Sequence, residues 1–144
     1  MLGFGSSGGV VTAAVQIARA LGAEVTGVTS TSNLQLVRSI GADEVIDYTQ
    51  EDFAKRGARY DVFFDVAGSR SLSTYTSVLA PGGTVVLAGA RTGGFAGIMW
   101  RIAEARVRTR LGKHPILFFI AKLKKDDLVV LKDLMEAGKV TPVV

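Results

Sequence analysis

The sequence predicts an α/β fold in which a six-stranded parallel sheet carries helices on both faces. Three observations support this prediction. Short apolar runs alternate with segments of helical periodicity along all 144 residues. The apolar runs have the length and content of strands that are buried on both faces. Most of the runs and helical segments end at or near glycine, of which the chain has 17, whereas it has only 3 prolines.

The strands are predicted from β-branched and aromatic content. A stub at Met1–Phe4 opens the chain, and the other predicted strands are Glu24–Ser30, Glu44–Asp47, Tyr60–Asp65, Gly83–Gly89 and Ile116–Ile120. Helices are predicted between and after them, at Gly9–Leu21, Ser32–Ile40, Ser69–Leu79, Phe95–Thr109 and Lys124–Ala137. Two of the helices end in a glycine, Gly22 and Gly41, that would adopt the left-handed conformation and release the chain into the next strand.

Right-handed crossovers between six such strands predict the doubly wound, Rossmann-type topology that binds dinucleotides. We expect residues 1–144 to form one NAD(P)-binding domain. The first strand, which this topology places at the centre of the sheet, is a stub, and residues 139–144 begin a further extended segment. These ends predict that the domain is a fragment of a longer chain.

The composition excludes several classes of site. The chain has no cysteine and a single histidine, His114, which excludes disulfides, thiolate catalysis and cysteine-based or multi-histidine zinc sites. No apolar run is long enough to predict a transmembrane helix, and no basic, then apolar, leader opens the chain. We therefore expect no zinc, no membrane partner and a cytoplasmic location.

The charge is unevenly placed. The net charge is +4, but residues 91–125 alone carry nine Lys/Arg and one acidic residue, Glu104. This segment is either a basic face for an anionic partner, such as a phosphorylated cofactor or nucleic acid, or a solvated helix face. No nucleic-acid motif accompanies the charge, so no nucleic-acid partner is expected.

A glycine-rich stretch, Gly5–Val11, lies between the first strand and the first helix. Glycines there let a pyrophosphate approach the main chain, and the following helix offers unpaired N–H groups and a positive dipole end. The match to G-x-G-x-x-G is imperfect, because Ser6, Gly8 and Val11 hold the three glycine positions. The alternative is a tight strand–helix turn without a ligand.

The end of the second strand, where the adenosine ribose would lie, carries hydroxyls and no carboxylate in the stretch Val28–Asn33. A carboxylate there would accept a hydrogen bond from the 2′-hydroxyl of NAD and repel the 2′-phosphate of NADP. The stretch therefore favours NADP(H) over NAD(H). Ser32 is also a candidate N-cap of the next helix, and both roles are compatible.

In combination, several stretches resemble the cofactor domain of the medium-chain dehydrogenase/reductase superfamily, in its zinc-type alcohol dehydrogenase and quinone-oxidoreductase-like branch. They are SSGGV, AVQIARALGAEV, VTSTSN, IGADEVIDYT, YDVFFDVAG, LAPGGTVVLAG, LFFIAK and AGKVTPVV. The resemblance implies that Ser7, Gly8, Gly9 and Val10 hold the pyrophosphate and that Ser30, Ser32 and Tyr48 surround the adenosine 2′-phosphate. It also implies that Gly68, Gly89 and Phe118 line the ribose and nicotinamide end.

Two departures from the family pattern matter. Val11 replaces a glycine where helix and strand pack closely, and Ser32 replaces an arginine that pairs with the 2′-phosphate in close relatives. Plainer alternatives stay open for other positions: Tyr48 as a cap on the sheet edge, Gly68 and Gly89 as ordinary turns, and Phe118 as a core residue. Asp65, at the end of its strand, is expected to be structural or to face the ribose.

The family implies an NADP(H)-dependent oxidoreductase that transfers a hydride to or from a carbonyl, alcohol, quinone or activated alkene. This chain would bind and orient the nicotinamide dinucleotide, and the catalytic, GroES-like domain of the parent chain would be its missing partner. No catalytic residue is assigned here, and the isolated fragment is expected to be inactive. A non-catalytic dinucleotide-binding or sensing module, a related methyltransferase and a homo-oligomeric assembly stay open.

Overall fold

A computed structural model describes residues 1–4, 9–66, 71–87, 94–111, 116–118 and 125–142 of the chain. Its strands, numbered in chain order, are β1 (Leu2–Phe4), β2 (Thr26–Thr29), β3 (Glu44–Asp47), β4 (Tyr60–Asp65), β5 (Leu79–Leu87) and β6 (Ile116–Phe118). Its α-helices are α1 (Gly9–Ala20), α2 (Leu34–Ser39), α3 (Leu72–Ser77), α4 (Gly94–Leu111) and α5 (Lys125–Glu136).

The strands form a single parallel sheet in the order β3-β2-β1-β4-β5-β6. The chain leaves β1 toward one edge through β2 and β3, and then returns to the other side of β1 for β4, β5 and β6. This is the doubly wound order, so the predicted fold class and strand number are confirmed.

Apolar side chains cover both faces of the sheet. Phe63 and Phe64 are consecutive on β4 and therefore point to opposite faces. Phe63 belongs to the larger buried cluster and stacks on Tyr75 of α3, with ring centroids 4.5 Å apart. Phe64 packs against the smaller cluster, in which Val11 and Val15 of α1 are fully buried. Helices therefore lie on both faces, and the valine at position 11 is accommodated in the core.

The C-terminal segment that follows α5 is tied to α1. The buried Gln16 side chain donates from Nε2 to the carbonyl oxygen of Thr141 at 2.9 Å. Its Oε1 accepts from the Thr141 N–H at 2.6 Å. The neighbouring Val140 is also buried. One glutamine thus satisfies both backbone groups of a residue that is 125 positions away in sequence.

The glycines that end α1 and α2 behave as predicted. Gly22 has φ +84° and Gly41 has φ +104°, both in the left-handed region that favours glycine. The predicted start of the second helix is wrong, because Thr31–Asn33 forms a one-turn 3₁₀ helix and α2 begins only at Leu34. Ser32 lies inside that turn, so it is not the N-cap of α2.

The largest boundary difference lies between α3 and β5, while β2 is shorter than predicted and spans Thr26–Thr29. The sequence predicts helix to Leu79, but Leu79 begins β5 and pairs with Tyr60 of β4. The next pair is Val62 with Thr84, so the register shifts and a bulge forms. A Cβ on Gly83 would lie 2.9 Å from the Ala80 carbonyl oxygen, so the bulge requires glycine there.

Candidate functional site

The carboxyl ends of all six strands lie at one edge of the sheet, because every strand pair is parallel. At this edge the chain turns away from β1 in opposite directions through β2 and through β4. Such a switch point leaves a crevice outside the strand ends, where ligands of doubly wound proteins bind. The strand order and the crevice define a doubly wound α/β domain of the nucleotide-binding type.

The amino end of α1 lies on the chain path directly after β1. Gly9 is the first helical residue, the first turn carries no acidic side chain, and Val10 is 58% exposed. The N–H groups of a helix's first turn have no partner within the helix, and the helix dipole is positive there. An anion is therefore favoured beside Gly9 and Val10. The predicted residues Ser7 and Gly8 lie outside the described residues.

Polar side chains gather where β2 ends, and we call Ser30, Ser32 and Asn33 the hydroxyl corner. The hydroxyl oxygens of Ser30 and Ser32 are 3.2 Å apart, and the Asn33 amide donates to the Ser30 hydroxyl oxygen at 3.2 Å. Ser30 still has extended backbone, with φ −80° and ψ 162°. Ser32 is exposed and Ser30 is partly exposed, so both hydroxyls can meet a ligand.

Tyr48, at the end of β3, lies next to the hydroxyl corner along the sheet. Its backbone N–H donates to the Thr29 carbonyl oxygen at 3.1 Å, which extends the β2–β3 ladder by one residue. Its side chain is 42% exposed. The structure therefore brings three of the sequence-predicted residues, Ser30, Ser32 and Tyr48, to one corner of the carboxyl edge.

Sequence reasoning missed a second group at this corner, Thr31, Asp47 and Thr49, which we call the Asp47 cluster. The Thr31 hydroxyl donates to Asp47 Oδ2, and the Thr49 N–H and hydroxyl donate to Asp47 Oδ1 at 2.9 and 2.6 Å. The hydrogen bond from Thr31, followed by that from Thr49, lowers the pKa of the Asp47 carboxyl. Asp followed two residues later by Thr is an Asx-turn signal and could have revealed part of the cluster.

Phe118, which is predicted to line the nicotinamide end, lies on the far side of the switch point. Phe118 is the last residue of β6 and pairs with Leu87 of β5. Four strand spacings, about 19 Å, separate β6 from β2. The predicted residues Gly68 and Gly89 lie outside the described residues.

Asp65, the last residue of β4, is fully buried and accepts a hydrogen bond from the Tyr75 hydroxyl. Tyr75 is also fully buried. This contact ties β4 to α3 and favours the structural role over the ribose-facing one.

The chain's donor set does not fit a zinc ion. It has no cysteine and one histidine. Among the residues that the structure describes, no group of three or more histidines, aspartates or glutamates could hold a metal ion. We therefore derive no chemical step through zinc, and the absence of zinc from this chain stays a prediction.

Comparison with known proteins identifies the family. The family model described as zinc-binding dehydrogenase matches residues 9–107. The chloroplastic NADPH-dependent alkenal/one oxidoreductase of Arabidopsis thaliana is 34% identical over 141 residues, which cover 96% of this chain and 31% of that protein. The 2-methylene-furan-3-one reductase of Solanum lycopersicum is 31% identical over 147 residues, covering 100% of this chain and 32% of that protein.

A solved structure agrees with these relatives. A thermostable alcohol dehydrogenase from Pyrobaculum aerophilum matches with a TM-score of 0.72 at 30% identity, over 97% of this chain and 40% of that one. The chain belongs to the zinc-binding dehydrogenase family, and the resemblance to the medium-chain dehydrogenase/reductase superfamily is confirmed. It spans about a third of the length of the two curated relatives.

The remaining expectations concern partners and location. Within the described ranges, no helix is both long and apolar enough to cross a membrane. Arg106 and Arg110 of α4, from the basic segment 91–125, are exposed. The expectations of no nucleic-acid partner and a cytoplasmic location stay predictions.

Proposed function

We propose that this chain is the nucleotide-binding part of an oxidoreductase and that it binds NADP(H) across the carboxyl edge of its sheet. The observation that carries the proposal is the hydroxyl corner at the end of β2, adjacent to β1, whose carboxyl end leads into α1. A helix N-terminus and a set of hydroxyls on neighbouring strands suit two phosphate groups of one ligand. The NADPH dependence in the name of the Arabidopsis relative supports this choice.

In this proposal Ser7, Gly8, Gly9 and Val10 hold the pyrophosphate, while Ser30, Ser32 and Tyr48 surround the 2′-phosphate. Gly68, Gly89 and Phe118 lie toward the ribose and nicotinamide end. When bound, the cofactor supplies hydride transfer to or from a carbonyl, alcohol, quinone or activated alkene. The chain's own residues bind and orient it, and a catalytic, GroES-like domain in the rest of a longer protein holds the substrate.

The preference for NADPH over NADH is expected to be modest. Hydroxyl groups can donate to the 2′-phosphate, but Ser32 stands where an arginine would form a charge-assisted pair. The titration of NADPH and NADH into wild type, Ser32→Arg and Ser32→Asp tests this placement. The arginine should widen the preference and the aspartate should reverse it. If both variants keep the wild-type ratio of NADPH to NADH affinity, the adenosine end of the cofactor does not bind at this corner.

The pyrophosphate site is tested at Val10, which is exposed in the first turn of α1. Val10→Asp places a carboxylate where the helix dipole stabilises it, so the fold should persist, while the carboxylate repels the pyrophosphate. We expect the NADPH affinity to fall by about tenfold or more. Val10→Asn is the neutral control of matched size and should retain most of the affinity.

Calorimetric titration of the 144-residue chain measures these affinities, with S-adenosylmethionine as a third ligand. Equal NADPH affinities for Val10→Asp and Val10→Asn would contradict the pyrophosphate assignment. Binding of S-adenosylmethionine in place of either dinucleotide would favour the methyltransferase alternative.

A further inference from the structure

We propose that Asp47 is a positioning residue for the adenosine end of the cofactor. It holds Thr31, and thereby fixes the turn in which Ser30 and Ser32 present their hydroxyls. This inference rests on the proposed function, because it assigns a role to residues beside the NADP(H) site.

The Asp47 carboxylate collects three donors from two segments of the chain. Thr31 comes from the 3₁₀ turn that follows β2, and Thr49 follows β3. The hydroxyl oxygens of Thr31 and Thr49 are themselves 3.0 Å apart. The cluster therefore ties the turn after β2 to the end of β3. It adds to the backbone hydrogen bond from the Tyr48 N–H to the Thr29 carbonyl oxygen, which extends the pairing of these two strands.

The turn that Asp47 holds is not fixed by the usual side-chain caps. Ser30 is the N-cap of the 3₁₀ helix and Asn33 is the N-cap of α2, and neither side chain makes a capping hydrogen bond. The Asn33 N–H donates to the Ser30 carbonyl oxygen at 3.0 Å, which closes the turn through a bond between two of its own residues. The hydrogen bond from Thr31 to Asp47 anchors the turn to β3, and the contact between the Thr31 and Thr49 hydroxyls supports it.

Strand alternation separates the Asp47 cluster from the hydroxyl corner. Asp47 is level with Thr29 in the ladder, so the next residues, Ser30 and Tyr48, point to the opposite face. A carboxylate on the phosphate-binding face would repel the 2′-phosphate. On the other face, where it accepts three hydrogen bonds from Thr31 and Thr49, Asp47 instead orients the chain that carries the donors.

Two substitutions at Thr31 separate the contact from the side chain's shape. Thr31→Val removes the hydroxyl and keeps the size, whereas Thr31→Ser keeps the hydroxyl. We expect Thr31→Val to weaken NADPH binding by about threefold to tenfold, which is part of what a hydrogen bond to a charged group is worth. NADH, which lacks the 2′-phosphate, should lose less, so the NADPH:NADH affinity ratio should narrow. Thr31→Ser should keep the wild-type ratio.

Asp47→Ala is the second variant and should narrow the ratio in the same direction. Its matched control is Asp61→Ala, which removes an exposed carboxylate at the start of β4. Asp61 therefore lies at the amino end of the strands, opposite the carboxyl ends that carry the hydroxyl corner. That control should leave the ratio unchanged. Circular dichroism and thermal midpoints of all variants establish that each one is folded when titrated.

The outcomes distinguish this inference from the proposed function. If wild type binds both dinucleotides and the NADPH:NADH affinity ratio is the same for Thr31→Val and Thr31→Ser, Asp47 does not position the turn. If Asp47→Ala binds NADPH more tightly than wild type, the carboxylate repels the phosphate, and the positioning role is wrong. If wild type binds neither dinucleotide, the proposed function fails and this inference fails with it.

Discussion

The buried contact between Tyr75 and Asp65 allows a quantitative test of the sheet's central packing. Tyr75→Phe removes one hydroxyl and leaves the ring in place. The ring stack on Phe63, with an interplanar angle of 27°, should therefore survive. What is lost is the hydrogen bond to a carboxyl group that is completely shielded from water.

The magnitude follows from that burial. Removing one partner of a buried hydrogen-bonded group costs about 1–3 kcal/mol. The volume of a single hydroxyl adds little cavity cost. For a chain of 144 residues, a loss of this size lowers the midpoint of thermal unfolding by about 3–10 °C.

Tyr60→Phe is the matched control. Tyr60 is also buried, but among the described residues its hydroxyl has no hydrogen-bond partner of ordinary geometry, although Thr26 lies nearby. Removing that hydroxyl should leave stability unchanged or raise it slightly, because an unsatisfied polar group is relieved.

Urea denaturation and thermal scans of wild type and both variants measure the difference in the free energy of unfolding. We expect Tyr75→Phe to be clearly less stable than Tyr60→Phe. Equal stability of the two variants would refute the account of the Asp65–Tyr75 contact as a stabilising link between β4 and α3.

Three further predictions concern other parts of the chain. Gln16→Ala should cost about 1–3 kcal/mol in urea denaturation, because the N–H and the carbonyl oxygen of Thr141 both lose their partner. Gln16→Glu should not restore this stability at neutral pH, because a buried carboxylate can accept from the Thr141 N–H but cannot donate to the Thr141 carbonyl oxygen. Gly83→Ala should lower the free energy of unfolding by about 1–3 kcal/mol, because its methyl group clashes with the backbone of the bulge. The control is Gly82→Ala, whose methyl group meets open space, so its cost comes only from the positive φ. Thr31→Val should raise the pKa of Asp47, because it removes a hydrogen bond that lowers it, and carboxyl ¹³C NMR measures this pKa. In wild type the lowered pKa of Asp47 contributes folding stability that is present above about pH 4. This stability is lost as the pH falls through the lowered pKa.

Much of the fold could be predicted because its signals are local. The lengths of the apolar runs, the helical periodicity of the segments between them and the glycines at positions 22 and 41 each act within a few residues of chain. Parallel strands joined by right-handed crossovers leave few topologies, so these local signals were enough to predict the doubly wound, six-stranded topology.

The sequence by itself determined the βα alternation, the two glycine caps and the hydroxyl-rich end of β2. Only the tertiary structure decided that Asp47 meets Thr31, that Asp65 pairs with Tyr75 and that β5 begins at Leu79. These two contacts and this strand boundary depend on the register between strands and on how helices dock on the sheet. Register and docking are set by interactions between different segments of the chain, so the residue pattern of one segment cannot predict them.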